Sequence, residues 1–171
     1  CGYNSKAFDL KHICKEFLLN GFPPPSPYRQ LDLLQAARSN FKFLSNKLDF
    51  LLKELKIGQK ASTGGFQLWL DCMAGKTEAW KKMELYNKQD VDQTEKLYMK
   101  LRPWLKGHQN VALFQVEKEV CPTCGSEDFQ RRGFYVANTY KYQKFSCNSC
   151  KTWFRGGKSE GGKQVKYARA V

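Results

Sequence analysis

A helical unit followed by a small all-β metal module is the architecture that these 171 residues predict. Three observations point to it. Apolar side chains recur three and four residues apart from Leu10 to Trp104, the spacing of helix faces. Two Cys-x-x-Cys pairs, Cys121/Cys124 and Cys147/Cys150, enclose 22 residues. Within that interval FQRRGFYVANTYKYQKFSC alternates aromatic and polar residues, the period of a strand, and reads as two strands around Asn138.

Taken in order, Leu10, Ile13, Cys14, Phe17 and Leu18 form one helical stripe, ended by Asn20-Gly21. The PPPSP run at 23–27 cannot be helix interior and predicts a loop. A short helix is expected near Leu31–Arg38. Ser45 is placed to cap a helix carrying Leu48, Leu51, Leu52 and Leu55, which stops at Gly58. Thr63-Gly64-Gly65 is a break, and its TGGF lacks the pattern of a phosphate loop. Phe66, Trp69, Leu70 and Met73 share a face; Thr77 is placed to cap the next helix, with Trp80 and Met83 inward. The stretch LYNKQDVDQTEKLYMKLRPW follows, with Leu97, Leu101 and Trp104 on a stripe and Asp92 and Glu95 toward solvent. Trp69, Trp80 and Trp104 are expected in the core. The boundaries read as a first domain over 1–106, a linker over 107–120, a ribbon over 121–155 and a basic disordered tail over 156–171.

Composition narrows the function classes. No apolar run approaches the ~18 residues a membrane helix needs, so no membrane partner is expected. The net charge is +13, with 18 basic against 11 acidic side chains up to residue 110 and 11 against 5 beyond it. Such a surface attracts phosphate backbones and releases their counterions; it also suits a basic protein that binds nothing. Three cysteines, Cys1, Cys14 and Cys72, stand outside the pairs. That count argues for a reducing compartment with a metal site rather than a secreted disulfide scaffold.

Each Cys-x-x-Cys turn aims two thiolates at one ion, and four thiolates close a tetrahedral structural Zn²⁺ site with no open position. Gly125 permits the tight turn after the first pair. Redox motifs or an iron–sulfur site are the competing readings. Around the cysteines Arg131, Arg132, Lys141, Lys144, Lys151 and Arg155 are interleaved with Phe134, Tyr135, Tyr140, Tyr142, Trp153 and Phe154. Cations hold phosphates and aromatic faces stack on bases, so Arg131, Arg132, Lys141, Lys144, Trp153 and Arg155 are candidate nucleic-acid contacts. Against this, the rings would serve a small core with solvated cations around it. The segment also resembles the zinc ribbons of DNA-processing proteins.

Tyr86 and Asp90 lie one turn apart on a single helix face. Alone, Tyr-x-x-x-Asp is a weak pattern. Near the start, GYNSKAFDLKHI adds Asn4, Phe8 and Asp9. Together the two stretches resemble the second and third motifs of the ribonuclease-H-like 3′–5′ exonucleases, the DEDD superfamily, in its tyrosine branch. The histidine branch would need His where Leu85 stands. FKFLSNKLDFLLKELKIGQK and TGGFQLWLDCMAGKTEAWKKMELYNKQDV are similar to segments of predicted phage and bacterial exonucleases related to polymerase proofreading domains, some with a C-terminal zinc ribbon.

The resemblance implies an α/β ribonuclease-H-like fold, represented here mainly by its helical C-terminal part. It implies two-metal hydrolysis of phosphodiesters with two Mg²⁺ or Mn²⁺ ions. Asp9 and Asp90 would be metal ligands, Tyr86 would position the attacking water, and Asn4 and Lys47 would be contacts near the substrate. The partner would be nucleic acid, DNA in the first instance, in the cytoplasm of a bacterial or phage-infected cell. The family's first motif, Asp-x-Glu, occurs nowhere in the chain. The chain therefore reads as a fragment, inactive and poorly stable by itself because its apolar faces lack a partner layer. The alternatives are a non-catalytic DNA-binding protein with a degenerate nuclease fold, and a protein-interaction module.

Overall fold

The computed structural model describes residues 1–59, 65–115, 118–137 and 140–160. The chain divides into two units, Cys1–Leu101 and Arg102–Val171. The first holds five helices: α1 (Asp9–Leu19), α2 (Leu33–Asn40), α3 (Leu48–Glu54), α4 (Gln67–Met73) and α5 (Thr77–Leu101). α1 ends as its sequence demands: Phe22 N–H returns to the Phe17 carbonyl at 2.9 Å, and Gly21 takes a left-handed φ of 72°.

Among the described residues of this unit, β structure is limited to one parallel bridge between Gly2 and Asp32. The Gly2 amide donates to Leu31 O at 3.0 Å, and the Leu33 amide donates to Gly2 O at 2.9 Å. A parallel pairing needs a crossover, and α1 supplies it, so the bridge is a βαβ connection reduced to its smallest form. Glycine is required at position 2 because a Cβ there would meet the Ser5 Cβ and Oγ at 2.7 Å.

α5 is the spine of the unit. Near its start Ala79 and Met83 pack with Leu68 and Cys72 of α4, and Tyr86 lies against that cluster. Leu33, Ala37, Leu51, Leu52 and Leu97 are fully buried. Each such leucine contributes about 1.5–3 kcal/mol relative to an exposed one.

The core placement expected of Trp69, Trp80 and Trp104 is corrected. α1 buries none of its residues: Ile13 and Phe17 are exposed, and Leu18 is 79% exposed. α4 turns Leu68 and Cys72 inward and leaves Trp69, Leu70 and Met73 in solvent, because its contact with α5 lies on that other face. Trp80 and Trp104 are likewise exposed. Ser45 does not cap α3; its Oγ accepts the Lys47 N–H at 3.3 Å in the turn before the helix. The Trp80 N–H bonds the Lys76 carbonyl, so Lys76, not Thr77, holds the N-cap position and Thr77 is the first residue of α5. The expected break at Thr63-Gly64 lies outside the described residues.

The second unit opens with 3₁₀ turns at Arg102–Trp104 and Val111–Phe114. The Asn110 side chain accepts the Ala112 N–H, and the Val111 N–H bonds Pro122 O at 2.8 Å. Part of the expected linker is thus attached to the cysteine turn. Three antiparallel strands follow, β1 (Phe129–Val136), β2 (Lys141–Cys147) and β3 (Trp153–Glu160), in the order β1-β2-β3. The third strand corrects the sequence reading twice. The sheet has three strands rather than two, and residues 156–160, assigned to a disordered tail, belong to β3; residues 161–171 lie outside the described residues. Among the described residues no helix is long and apolar enough to cross a membrane.

Candidate functional site

The first unit carries a cleft of about 520 Å³ that Asp9 and Asp90 both line. Asp9 opens α1, so its position follows from the turn that starts that helix. Asp90 lies midway along α5; Asn87, Thr94 and Tyr98, three, four and eight residues away on the same helical face, line the cleft with it. Cys1, Tyr3 and Glu95 add to the lining. Glu95 is exposed, as expected of a solvent-side charge, and also lines the cleft. Tyr86, Asn4 and Lys47 do not line it. Tyr86 is half-buried against Leu68, Cys72, Ala79 and Met83.

A residue that sequence reading missed holds one wall in place. Asp32 is 3% exposed, and its carboxylate accepts N–H groups from Asn4, Lys6 and Leu34, each at 3.0 Å. It caps α2 and at the same time ties down the Asn4–Lys6 turn that leads into Asp9. Asn4 takes a left-handed φ of 62°, which asparagine tolerates better than most residues. The available sign was an Asp directly before Leu-Leu-x-Ala-Ala, an N-cap pattern. Tyr3, next in the same turn, donates its hydroxyl to Asn46 O at 2.7 Å. Burial pushes its phenol up to about 12; nearby Arg38 opposes that shift and Asp32 adds to it. It is a neutral donor at working pH.

The four paired cysteines converge in the second unit. Cys121 Sγ stands 3.7 Å from Cys150 Sγ, and Cys124 Sγ stands 3.6 Å from Cys147 Sγ. All four ligand atoms lie within 4.8 Å of one another. A tetrahedron of sulfurs about 2.3 Å from zinc has edges of about 3.8 Å, so the set fits Zn²⁺; a disulfide would need about 2.05 Å. Gly125 N–H bonds Cys121 O at 2.8 Å and Cys150 N–H approaches Cys147 Sγ at 3.5 Å, the backbone closure of each turn. Burial pushes the Cys121 thiol up to about 12 and also raises Cys124. At Cys150 burial again pushes upward, but the Thr152 hydroxyl and amide, with Cys124 and Cys147, outweigh it and bring the thiol to about 7. Among the described residues these thiols are the one group of three or more potential metal ligands brought together.

The aromatic residues of the ribbon are divided between its faces. Phe129, Phe154 and the thiols form one cluster, with Phe145 stacked 5.2 Å from Phe154. In the strand register Arg131 opposes Phe145 and so shares that side, as do Phe134 and Lys141, whose Nζ sits 3.6 Å from the Phe134 ring. Lys144, Arg155, Trp153, Tyr142 and Tyr135 occupy the other side. The six candidate nucleic-acid contacts therefore do not form one surface: Arg131 and Lys141 are separated from Lys144, Trp153 and Arg155. Arg132 sits in the bulge between Arg131 and Phe134, beside Gly133 at φ 74°.

A family model of the RNase H superfamily matches residues 1–102. The chain belongs to the RNase H superfamily. No curated protein and no solved structure gives a significant match. RNase-H-like domains act on nucleic acids and generally use divalent metals, so nuclease-type chemistry on a nucleic-acid partner is the coarse reading of the first unit.

Proposed function

We propose that the first unit is part of a metal-dependent 3′–5′ exonuclease of the DEDD type, tyrosine branch, and that the ribbon helps to hold its nucleic-acid substrate. The observation that favours this is the meeting of Asp9 and Asp90, from opposite ends of the unit, at one cleft. Carboxylate oxygens are the donors that Mg²⁺ and Mn²⁺ prefer, so these two acids are the residues that would hold them. When bound, such ions supply an activated water and charge stabilisation at the leaving oxygen. The chain's own residues do the remainder. Tyr3 offers a neutral hydroxyl-bearing wall, Asp32 fixes the turn that carries Asp9, and Tyr86 is assigned to water positioning by its place in the motif.

No Asp-x-Glu pair occurs in these residues, so Asp9 and Asp90 are half of a four-carboxylate set. The basic ribbon with its exposed rings favours a second reading, a non-catalytic nucleic-acid-binding protein that keeps a degenerate nuclease fold. The test is hydrolysis of end-labelled DNA and RNA by the intact protein with Mg²⁺ or Mn²⁺. Asp9→Asn and Asp90→Asn are expected to lower the rate by more than ~100-fold, beyond what loss of an outer-shell partner costs, while leaving binding in place. Variants that cut as fast as wild type would refute the assignment.

A further inference from the structure

Among the described residues of the ribbon, the sheet face turned away from the thiols holds no buried cluster, yet it presents large rings. Trp153 is 57% exposed and Tyr135 49% exposed. Lys144 Nζ lies 5.2 Å from the Trp153 ring; the Arg155 guanidinium lies 4.1 Å from Tyr142 and 5.7 Å from Tyr135. Two cations thus lie between rings across all three strands, in the order Trp153, Lys144, Arg155, Tyr142, Tyr135. Trp153 pairs with Ser146, four residues along β2 from Tyr142, so the strip is about 13 Å long.

We propose that this face binds single-stranded nucleic acid, with Trp153 and Tyr135 as base-stacking platforms and Lys144 and Arg155 as phosphate contacts. The proposal deepens the nucleic-acid reading above and rests on it. Charge favours this occupant: between Cys121 and Glu160 there are seven Lys or Arg against three Asp or Glu. The rings select the single strand, because base faces are accessible only where bases are unpaired, whereas phosphate contacts alone would hold a duplex equally well. Stacking of a base on an indole is the stronger contact than an exposed cation over the same ring. An arriving base displaces the Lys144 ammonium from Trp153 and leaves it beside the phosphate.

The experiment is fluorescence anisotropy on the zinc-loaded full chain without Mg²⁺ or Mn²⁺, using a labelled mixed-sequence DNA strand and the same strand as a duplex. Trp153→Ala is expected to weaken single-strand binding about 10-fold and to change duplex binding less than about 2-fold. Trp153→Phe should restore most of the loss. Lys144→Gln with Arg155→Gln should reduce the slope of log affinity against log salt by ~1.4, or ~0.7 per phosphate. Lys158→Gln, outside the strip, should not reproduce the stacking loss. Zinc stoichiometry confirms that each variant keeps its fold. Equal losses on strand and duplex, or no loss with Trp153→Ala, overturn the proposal; so does failure to bind either DNA, which would give the face to a protein partner. These ribbon variants leave Asp9 and Asp90 untouched, and binding is read without hydrolysis. Failure here is therefore distinct from failure of the exonuclease reading.

Discussion

Replacing Asp32 by alanine removes one carboxylate and strands three amides. The magnitude follows from where those amides lie. A hydrogen bond to a charged group contributes about 1.5–3 kcal/mol, and a buried donor left unsatisfied costs about 1–3 kcal/mol. The Leu34 N–H is buried and loses its cap outright, whereas the Asn4 and Lys6 amides are only partly buried and regain water. Assigning about 2 kcal/mol to Leu34 and about 0.5 kcal/mol to each of the others gives a loss of ~3 kcal/mol. For a unit of this size that is a fall in Tm of ~15 °C. Asp32→Asn keeps one acceptor but turns an NH₂ toward a backbone N–H, and should cost ~2 kcal/mol. Urea unfolding followed at 222 nm reports on the first unit, which holds all the described α-helices. Because Asp32 also fixes the turn before Asp9, Asp32→Ala in the intact protein should slow hydrolysis beyond its effect on stability. A loss below ~1 kcal/mol for alanine, or asparagine as stable as wild type, would show that the carboxylate does not hold the turn.

Three further outcomes follow from the same structure. One Zn²⁺ per chain is expected by mass spectrometry, and a chelator should abolish the ribbon's near-ultraviolet signal while sparing the helical signal at 222 nm. Zinc uptake expels protons, above all from Cys121, whose thiol burial pushes to about 12, so affinity must rise with pH and fall in acid; a pH-independent affinity would exclude thiolate ligation. Tyr86→Ala opens the packing against Leu68, Cys72, Ala79 and Met83 and should cost about 3 kcal/mol. Tyr86→Phe keeps the ring, so a rate loss with unchanged stability would isolate a role for the hydroxyl, and an unchanged rate would remove Tyr86 from the reaction. Leu18→Lys, at a 79% exposed position, should change stability by less than about 0.5 kcal/mol and lower the binding of a hydrophobic dye; a larger loss would mean that the α1 stripe is packed in solution.

Features fixed by local chemistry could be read from the sequence; those fixed by a neighbouring layer could not. The Cys-x-x-Cys turns specify their own geometry through backbone bonds within a few residues, and the thiols converge as the spacing implies. Periodicity located the helices because the apolar repeat is a property of each segment. It did not reveal which face is covered: α4 offers Trp69, Leu70 and Met73 on one side and Leu68 and Cys72 on the other, and only its contact with α5 decides for the second. β3 was missed because Gly156 and Gly157 interrupt its alternation, although the pairing with β2 supplies the ladder. Asp32 escaped because its three partners lie two residues away and across a chain reversal, and only the first is visible in sequence. The cleft needed both kinds of information. The family resemblance singles out Asp9 and Asp90, but Tyr3 and Glu95 join them only once α5 and the Gly2–Asp32 bridge are placed.

The two units differ in what holds them, and that difference governs how each can fail. The ribbon has a core of three phenylalanines and four thiols, too small to stand on burial alone; a structural zinc contributes about 10–16 kcal/mol to such a module, so its folding is all but equivalent to metal binding. Among its described residues the helical unit shows no such ligand cluster. Its fully buried large side chains are Leu33, Leu51, Leu52 and Leu97, while α1, which carries Asp9, buries nothing. α1 is held by its ends: the Asn4–Lys6 turn on Asp32 before it, and the Phe22 and Gly21 amides returning to it after Leu19. A helix so anchored opens locally at a cost set by those few bonds rather than by the core. Asp9 should therefore be the more mobile of the two acids and Asp90, on the spine, the fixed one. Amide exchange would then be faster along Lys11–Leu18 than along the Met83–Leu97 part of α5; equal protection would mean that something covers α1 in solution.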